Sequence, residues 1–105
     1  STGRAHFSNR KRRKRMREGT CPIVNRLGLH ARAAAQLVRL AGTFKSKITL
    51  SRDGTMFADA KSILNLLTLA AAFGTTLTLT VEGPDEDEAF EAVGGLFANK
   101  FGESM

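Results

Sequence analysis

His30 is the only histidine outside the basic N-terminal segment, and it stands directly before the alanine-rich run ARAAAQLVRLA, residues 31–41. That run has a helical period, with Ala34, Leu37, Val38 and Ala41 on one stripe and Gly42 placed to end it. A side chain at a helix start faces backbone N–H groups without intrahelical partners, where the macrodipole adds partial positive charge. Such a position attracts anions and favours the neutral, nucleophilic form of an imidazole. Arg32 is long enough to reach back to a group carried on His30, and its guanidinium fork matches phosphate oxygens. The chemistry this pair suits is phosphoryl transfer to the histidine ring. A capping histidine with no reaction fits the same spacing equally well.

Other chemistries find little support. A metal site needs more His, Cys or carboxylate ligands at ligand spacing, and His6 lies in the basic segment, so no metal is expected. Neither a G-x-S-x-G turn nor a Gly-rich loop ending in G-K-[ST] occurs, and no cofactor is implied. The single Cys21 cannot form an internal disulfide, which suits a reducing compartment. No apolar run approaches the ~20 residues of a membrane span, and no apolar signal region follows the basic N-terminus. A cytoplasmic protein without membrane insertion is expected.

The net charge of +6 is unevenly spread. Residues 1–18 carry eight bases and one acid, net +7, which leaves the remainder at −1. The high pI therefore describes a tail and not a basic binding face. Residues 1–18 are expected to form a disordered basic tail, of upstream or expression-derived origin, because they offer almost no apolar surface to offset ordering entropy. Its run of bases suits nucleic acid or anionic lipid, but a solvated extension is favoured and nucleic acid is not expected as a partner. Residues 19–105 form one small domain, and the chain as a whole is 42% hydrophobic, enough to build a core.

The elements that must position His30 follow from periodicity. Thr20–Val24 reads as a strand with Cys21 and Ile23 on one face and Pro22 suited to an edge. Lys47–Ser51 and Thr55–Asp59 read as a hairpin around Asp53-Gly54. Ser62–Leu69 reads as a short helix N-capped by Ser62, and Thr76–Glu82 as a strand alternating Leu77, Leu79 and Val81 with threonines. Asp85 and Glu88 suggest a capping box opening a last helix that turns Ala89, Val93, Leu96, Phe97 and Phe101 to the core. Gly94-Gly95 should cost that helix about 1 kcal/mol each, pointing to close packing or fraying there. The order is β-α-β-β-α-β-α, a two-layer α+β sandwich with its helices on one sheet face.

The stretches NRLGLHARAAAQL and DAKSILNLLTLAA resemble the HPr family, histidine-containing phosphocarriers of the bacterial phosphoenolpyruvate-dependent phosphotransferase system. The resemblance runs from Thr20 to about Phe101. It implies an open-faced β-sandwich, with a four-stranded antiparallel sheet covered on one face by three helices. It implies that His30 accepts a phosphoryl group on Nδ1 from enzyme I and passes it to a IIA protein, as a covalent carrier and not an independent turnover catalyst. Arg32 would stabilise the transferred group. Ser62 matches a serine that an HPr serine kinase/phosphorylase modifies in many members, although a plain N-cap uses serine for the same bond. Exposed Leu29, Ile63, Leu64 and Leu67 would form an apolar docking patch around the histidine. Nothing suggests an obligate dimer, and a monomer is expected.

Two departures stand out. Ala33 replaces the usual family proline, loosening the first turn slightly while restoring an N–H. The C-terminal stretch EGPDEDEAFEAVGGLFANKF looks like the nitrogen-branch version of the family, whereas Lys61-Ser62 looks like the sugar branch. The alternative function is thus a regulatory phospho-switch without sugar transport.

Overall fold

The computed structural model describes residues 16–104. Four strands form one antiparallel sheet: β1 (Arg17–Pro22), β2 (Lys47–Arg52), β3 (Met56–Asp59) and β4 (Thr76–Glu82), in the spatial order β1-β4-β2-β3. Three helices, α1 (Ala31–Ala41), α2 (Ile63–Thr68) and α3 (Glu86–Ala98), alternate with them in the expected chain order. A short 3₁₀ turn, Lys100–Gly102, follows α3.

The strand period fixes which face is buried. Leu77, Leu79 and Val81 of β4 are opposed by Cys21 and Gly19 of β1 and by Leu50 and Ile48 of β2, so one row of apolar side chains crosses the sheet. Alternate residues such as Thr49 and Thr80 pair on the other face, which no helix covers, and stay partly exposed. Onto the apolar row α1 lowers Ala33, Ala34, Leu37 and Ala41, and α3 lowers Ala89, Val93 and Phe97. Small alanines let α1 lie close. Gly19 does the same for α3, since a Cβ there would stand 2.7 Å from the ring of Phe90.

Several sequence expectations need correction. The tail cannot extend to residue 18, because Arg17 and Glu18 pair with Val81 and Thr80 in β1; the rest of the tail, residues 1–15, lies outside the described residues. Arg17 is tied down further by a 2.7 Å ion pair to Asp87 and by its place 4.4 Å over the Phe90 ring. The strand accordingly runs Arg17–Pro22, ending before Ile23 and Val24, though Ile23 is still buried.

The Asp85/Glu88 capping box does not form. Asp85 makes no side-chain cap bond to its own helix; its carboxylate instead accepts from the Lys45 and Ser46 amides, both at 2.9 Å, and from the Ser46 hydroxyl at 2.5 Å. Loop-to-loop bonding gives the Asp85 carboxylate three donors where the box would give it one, the Asp85 N–H donates to the Ser46 hydroxyl at 3.2 Å, and Glu86 accepts from the Gly83 N–H at 3.1 Å. Nor are Gly94 and Gly95 sites of close packing, because a Cβ at either position would meet nothing within 4 Å. The last helix ends at Ala98, so Phe101 reaches the core from the 3₁₀ turn.

The hairpin turn forms as its residues require: Asp53 and Gly54 both have positive φ, 56° and 70°, and Thr55 N–H donates to the Arg52 carbonyl. Gly42 ends α1 but in right-handed geometry, with φ −66°, while the Thr43 hydroxyl donates to the Leu40 carbonyl.

Candidate functional site

His30 is the N-cap of α1, with extended backbone at φ −84° and ψ −179°. Its carbonyl accepts the first helical bond, from Ala34 N–H at 2.8 Å. The ring lies beside the helix start, where Nδ1 accepts from the Arg32 N–H at 3.3 Å. On its far side Nε2 is 2.5 Å from Oε2 of Glu103. A neutral imidazole has one donor and one acceptor nitrogen. With an amide donor on one side and a carboxylate on the other, the network assigns the proton to Nε2 and the lone pair to Nδ1. The side chain remains 27% exposed.

The loop before α1 fixes this pose. Gly28 adopts φ +72°, and a Cβ there would stand 2.7 Å from the Ala71 carbonyl oxygen, so only glycine fits. Leu29 N–H donates to that same oxygen at 2.9 Å, which binds the segment carrying His30 to the segment leaving α2. Asn25, fully buried, donates its carboxamide to the Gly28 carbonyl at 2.8 Å and to Glu103 Oε1 at 3.1 Å. The Glu103 carboxyl is held below its ordinary range, first by the hydrogen bond with His30, with Asn25 and the Arg32 charge acting the same way against burial.

Arg32 is exposed in the first turn of α1, on the helix end that carries His30. Ser62 is the N-cap of α2 and accepts from Asn65 N–H at 3.3 Å. Ile63, Leu64 and Leu67 are exposed on that helix, Leu64 most of all at 76%. Leu29 is not part of any exposed patch: at 5% exposure it belongs to the core, because the bond from its amide to Ala71 pulls the residue inward. In its place Leu27 and Phe73, each about three-fifths exposed, flank the Gly28–Ala71 contact. Sequence reasoning missed both. It also missed Glu103 and Asn25. Separations of 73 and 78 residues leave no periodic signal.

Among the described residues no group of three or more His, Cys, Asp or Glu side chains converges to hold a metal ion, and no helix is long and apolar enough to cross a membrane. What the arrangement offers is a nucleophilic ring nitrogen at a helix start, with a cationic side chain one residue into the helix.

Comparison with known proteins meets this geometry. The family model described as the PTS HPr component phosphorylation site matches residues 17–99. The phosphocarrier protein HPr of Cupriavidus necator is 54% identical over 81 residues, 77% of this chain and 90% of that protein. The phosphocarrier protein NPr of Shewanella violacea is 45% identical over 82 residues, 78% of this chain and 89% of that one. Among solved structures, an HPr from Thermoanaerobacter tengcongensis aligns with a TM-score of 0.80 at 40% identity, covering 85% of this chain and 99% of that chain. An HPr dimer from the same organism aligns at 0.67 and 41% identity, covering 83% and 99%.

Proposed function

The chain belongs to the HPr family of phosphotransferase-system phosphocarriers, and from that premise we propose that His30 accepts a phosphoryl group on Nδ1 from enzyme I and hands it to a IIA protein. The observation that carries the reading is the ring's pose: Nδ1 holds the lone pair at the helix start while Nε2 is occupied by a carboxylate. The Nδ1 lone pair forms the new N–P bond as the bond to the donor breaks. Charge on the transferred oxygens then develops beside the first amides of α1 and the Arg32 guanidinium, so catalysis is positioning plus electrostatic stabilisation. Docking would use Ile63, Leu64 and Leu67, joined by Leu27 and Phe73, an apolar surface suited to transient contact. Phosphorylation of Ser62 by a serine kinase would place negative charge within this surface at a helix start that tolerates it, weakening docking without unfolding. The protein would act in the cytoplasm, as a monomer.

The test is intact mass after incubation with phosphoenolpyruvate and enzyme I. An acid-labile gain of one phosphoryl group, absent in His30→Ala, is the expected result; no gain with the cognate enzyme I overturns the reading. Arg32→Ala should keep the site but slow transfer by roughly 10²-fold, as loss of a charge-stabilising group does.

The similarity to a phosphocarrier protein NPr favours one second reading, a regulatory phospho-switch. Following the phosphoryl group from His30 separates the two: delivery through a IIA protein to a transported sugar supports the sugar branch, and delivery to a IIA protein with no sugar acceptor supports the switch.

A further inference from the structure

We propose that Glu103 is a positioning residue for the phosphoryl-accepting histidine, holding the proton on Nε2 so that Nδ1 keeps its lone pair, and offsetting the positive charge of the phosphorylated ring. The proposal rests on the phosphocarrier reading of His30. The contact is not a chance meeting of surface groups, because the Glu103 side chain is only 12% exposed and its other oxygen is bound by buried Asn25. The two carboxylate oxygens thus have separate duties, one taking the Asn25 donor at 3.1 Å and the other the His30 ring at 2.5 Å.

The backbone is built to deliver this side chain. Past α3 the chain reverses through three successive residues at positive φ, Lys100 at 56°, Phe101 at 55° and Gly102 at 79°. Two of these are not glycine, and left-handed backbone costs such residues roughly 1–2 kcal/mol each. Burial offsets it: Phe101 is 2% exposed and meets Phe97 edge to face at 5.0 Å between ring centres. Glu103 N–H then donates to the Lys100 carbonyl at 2.9 Å, closing the turn with the carboxylate against the ring.

The chemistry balances without moving a proton. Nδ1 supplies the electron pair of the new N–P bond, the electron pair of the broken bond leaves with the donor, and Nε2 keeps its hydrogen. The ring becomes a cation whose charge faces Glu103 on the side opposite the phosphoryl group, and passing the group on returns the ring to neutrality. Glu103 therefore interacts more strongly with the loaded ring than with the empty one, and an interaction that strengthens along the reaction raises kcat.

Glu103→Gln keeps the shape but has one acceptor oxygen for two donors; with that oxygen held by the fully buried Asn25, the amide donates to Nε2 and drives the proton to Nδ1. Glu103→Leu removes the acceptor altogether. Ring ¹⁵N chemical shifts in alkaline buffer, where a free imidazole is neutral, report the tautomer, and steady-state transfer from enzyme I reports kcat and KM. In both variants the expected results are loss of the uniform Nε2–H form and a kcat lower by about 10–100-fold, the usual size of an orienting partner's effect, with KM for enzyme I little changed. Unchanged shifts and kcat in variants of a wild type that is phosphorylated would overturn the role of Glu103 alone. A raised KM at unchanged kcat would also overturn it, making Glu103 a partner contact. A wild type that takes no phosphoryl group overturns the carrier reading, and this proposal with it.

Discussion

Cys21 shows how a side chain's surroundings decide whether its chemistry is available. It faces the core from β1, at 4% exposure, and burial pushes its thiol up to about 11. The thiolate is the reactive form, so at neutral pH this cysteine should resist alkylation in the folded protein and react promptly once urea unfolds it. Intact mass after timed iodoacetamide treatment checks this, and rapid labelling without denaturant would contradict it. His30 presents the opposite case, a ring held at the surface with each nitrogen given a distinct partner. His30 and Arg32, the proposed nucleophile and cation, were legible because they sit at fixed spacing from a helix start. Leu29 was misplaced as an exposed contact because an apolar residue in a loop carries no period to say which way it turns.

Between elements, the most consequential bonds join loops. Asp85 ties the α1–β2 loop to the start of α3, and its carboxyl is held below the usual range, chiefly by the Ser46 hydroxyl and also by the amides of Lys45 and Ser46. A carboxyl with a depressed folded-state pKa contributes stability above the unfolded value, and that contribution disappears as pH falls through the folded value. Asp85→Asn should therefore be less stable than the wild type at neutral pH, and the gap should close as pH drops below the carboxylate range. Urea midpoints across pH give the answer; a gap that is constant with pH would mean the charge contributes nothing. Within α3 the opposite change is expected to help. Gly95 is exposed and has room for a methyl group, so Gly95→Ala should stabilise the fold by about 1 kcal/mol, read from the same midpoints.

At the scale of the molecule, one apolar row across the sheet carries the three helices, and β4 lies between β1 and β2 at its centre. Leu79 stands in that row at 1% exposure. Leu79→Ala should cost roughly 2–5 kcal/mol, the range for removing a buried leucine side chain. Leu64→Ala, at a site 76% exposed, should change stability by less than about 0.5 kcal/mol. If Leu64 is a docking residue, the same variant should still raise KM for enzyme I. Denaturation and transfer kinetics on the two variants separate a core role from an interface role.

The sequence by itself determined the number, type and order of the elements, because each is written in local terms: a period of two in β2 and β4, a 3.6-residue stripe in α1, Asp53-Gly54 at positive φ, and Ser62 capping α2. It also marked His30 and Arg32, whose chemistry depends on distance from a helix start. Only the tertiary structure decided what depends on contacts far apart in the chain. Asp85 bonds across 39 and 40 residues to a loop rather than to its own helix, and Glu103 is carried back across 73 residues to the histidine. Those pairings follow from how packed elements aim their ends, and no local pattern records that direction.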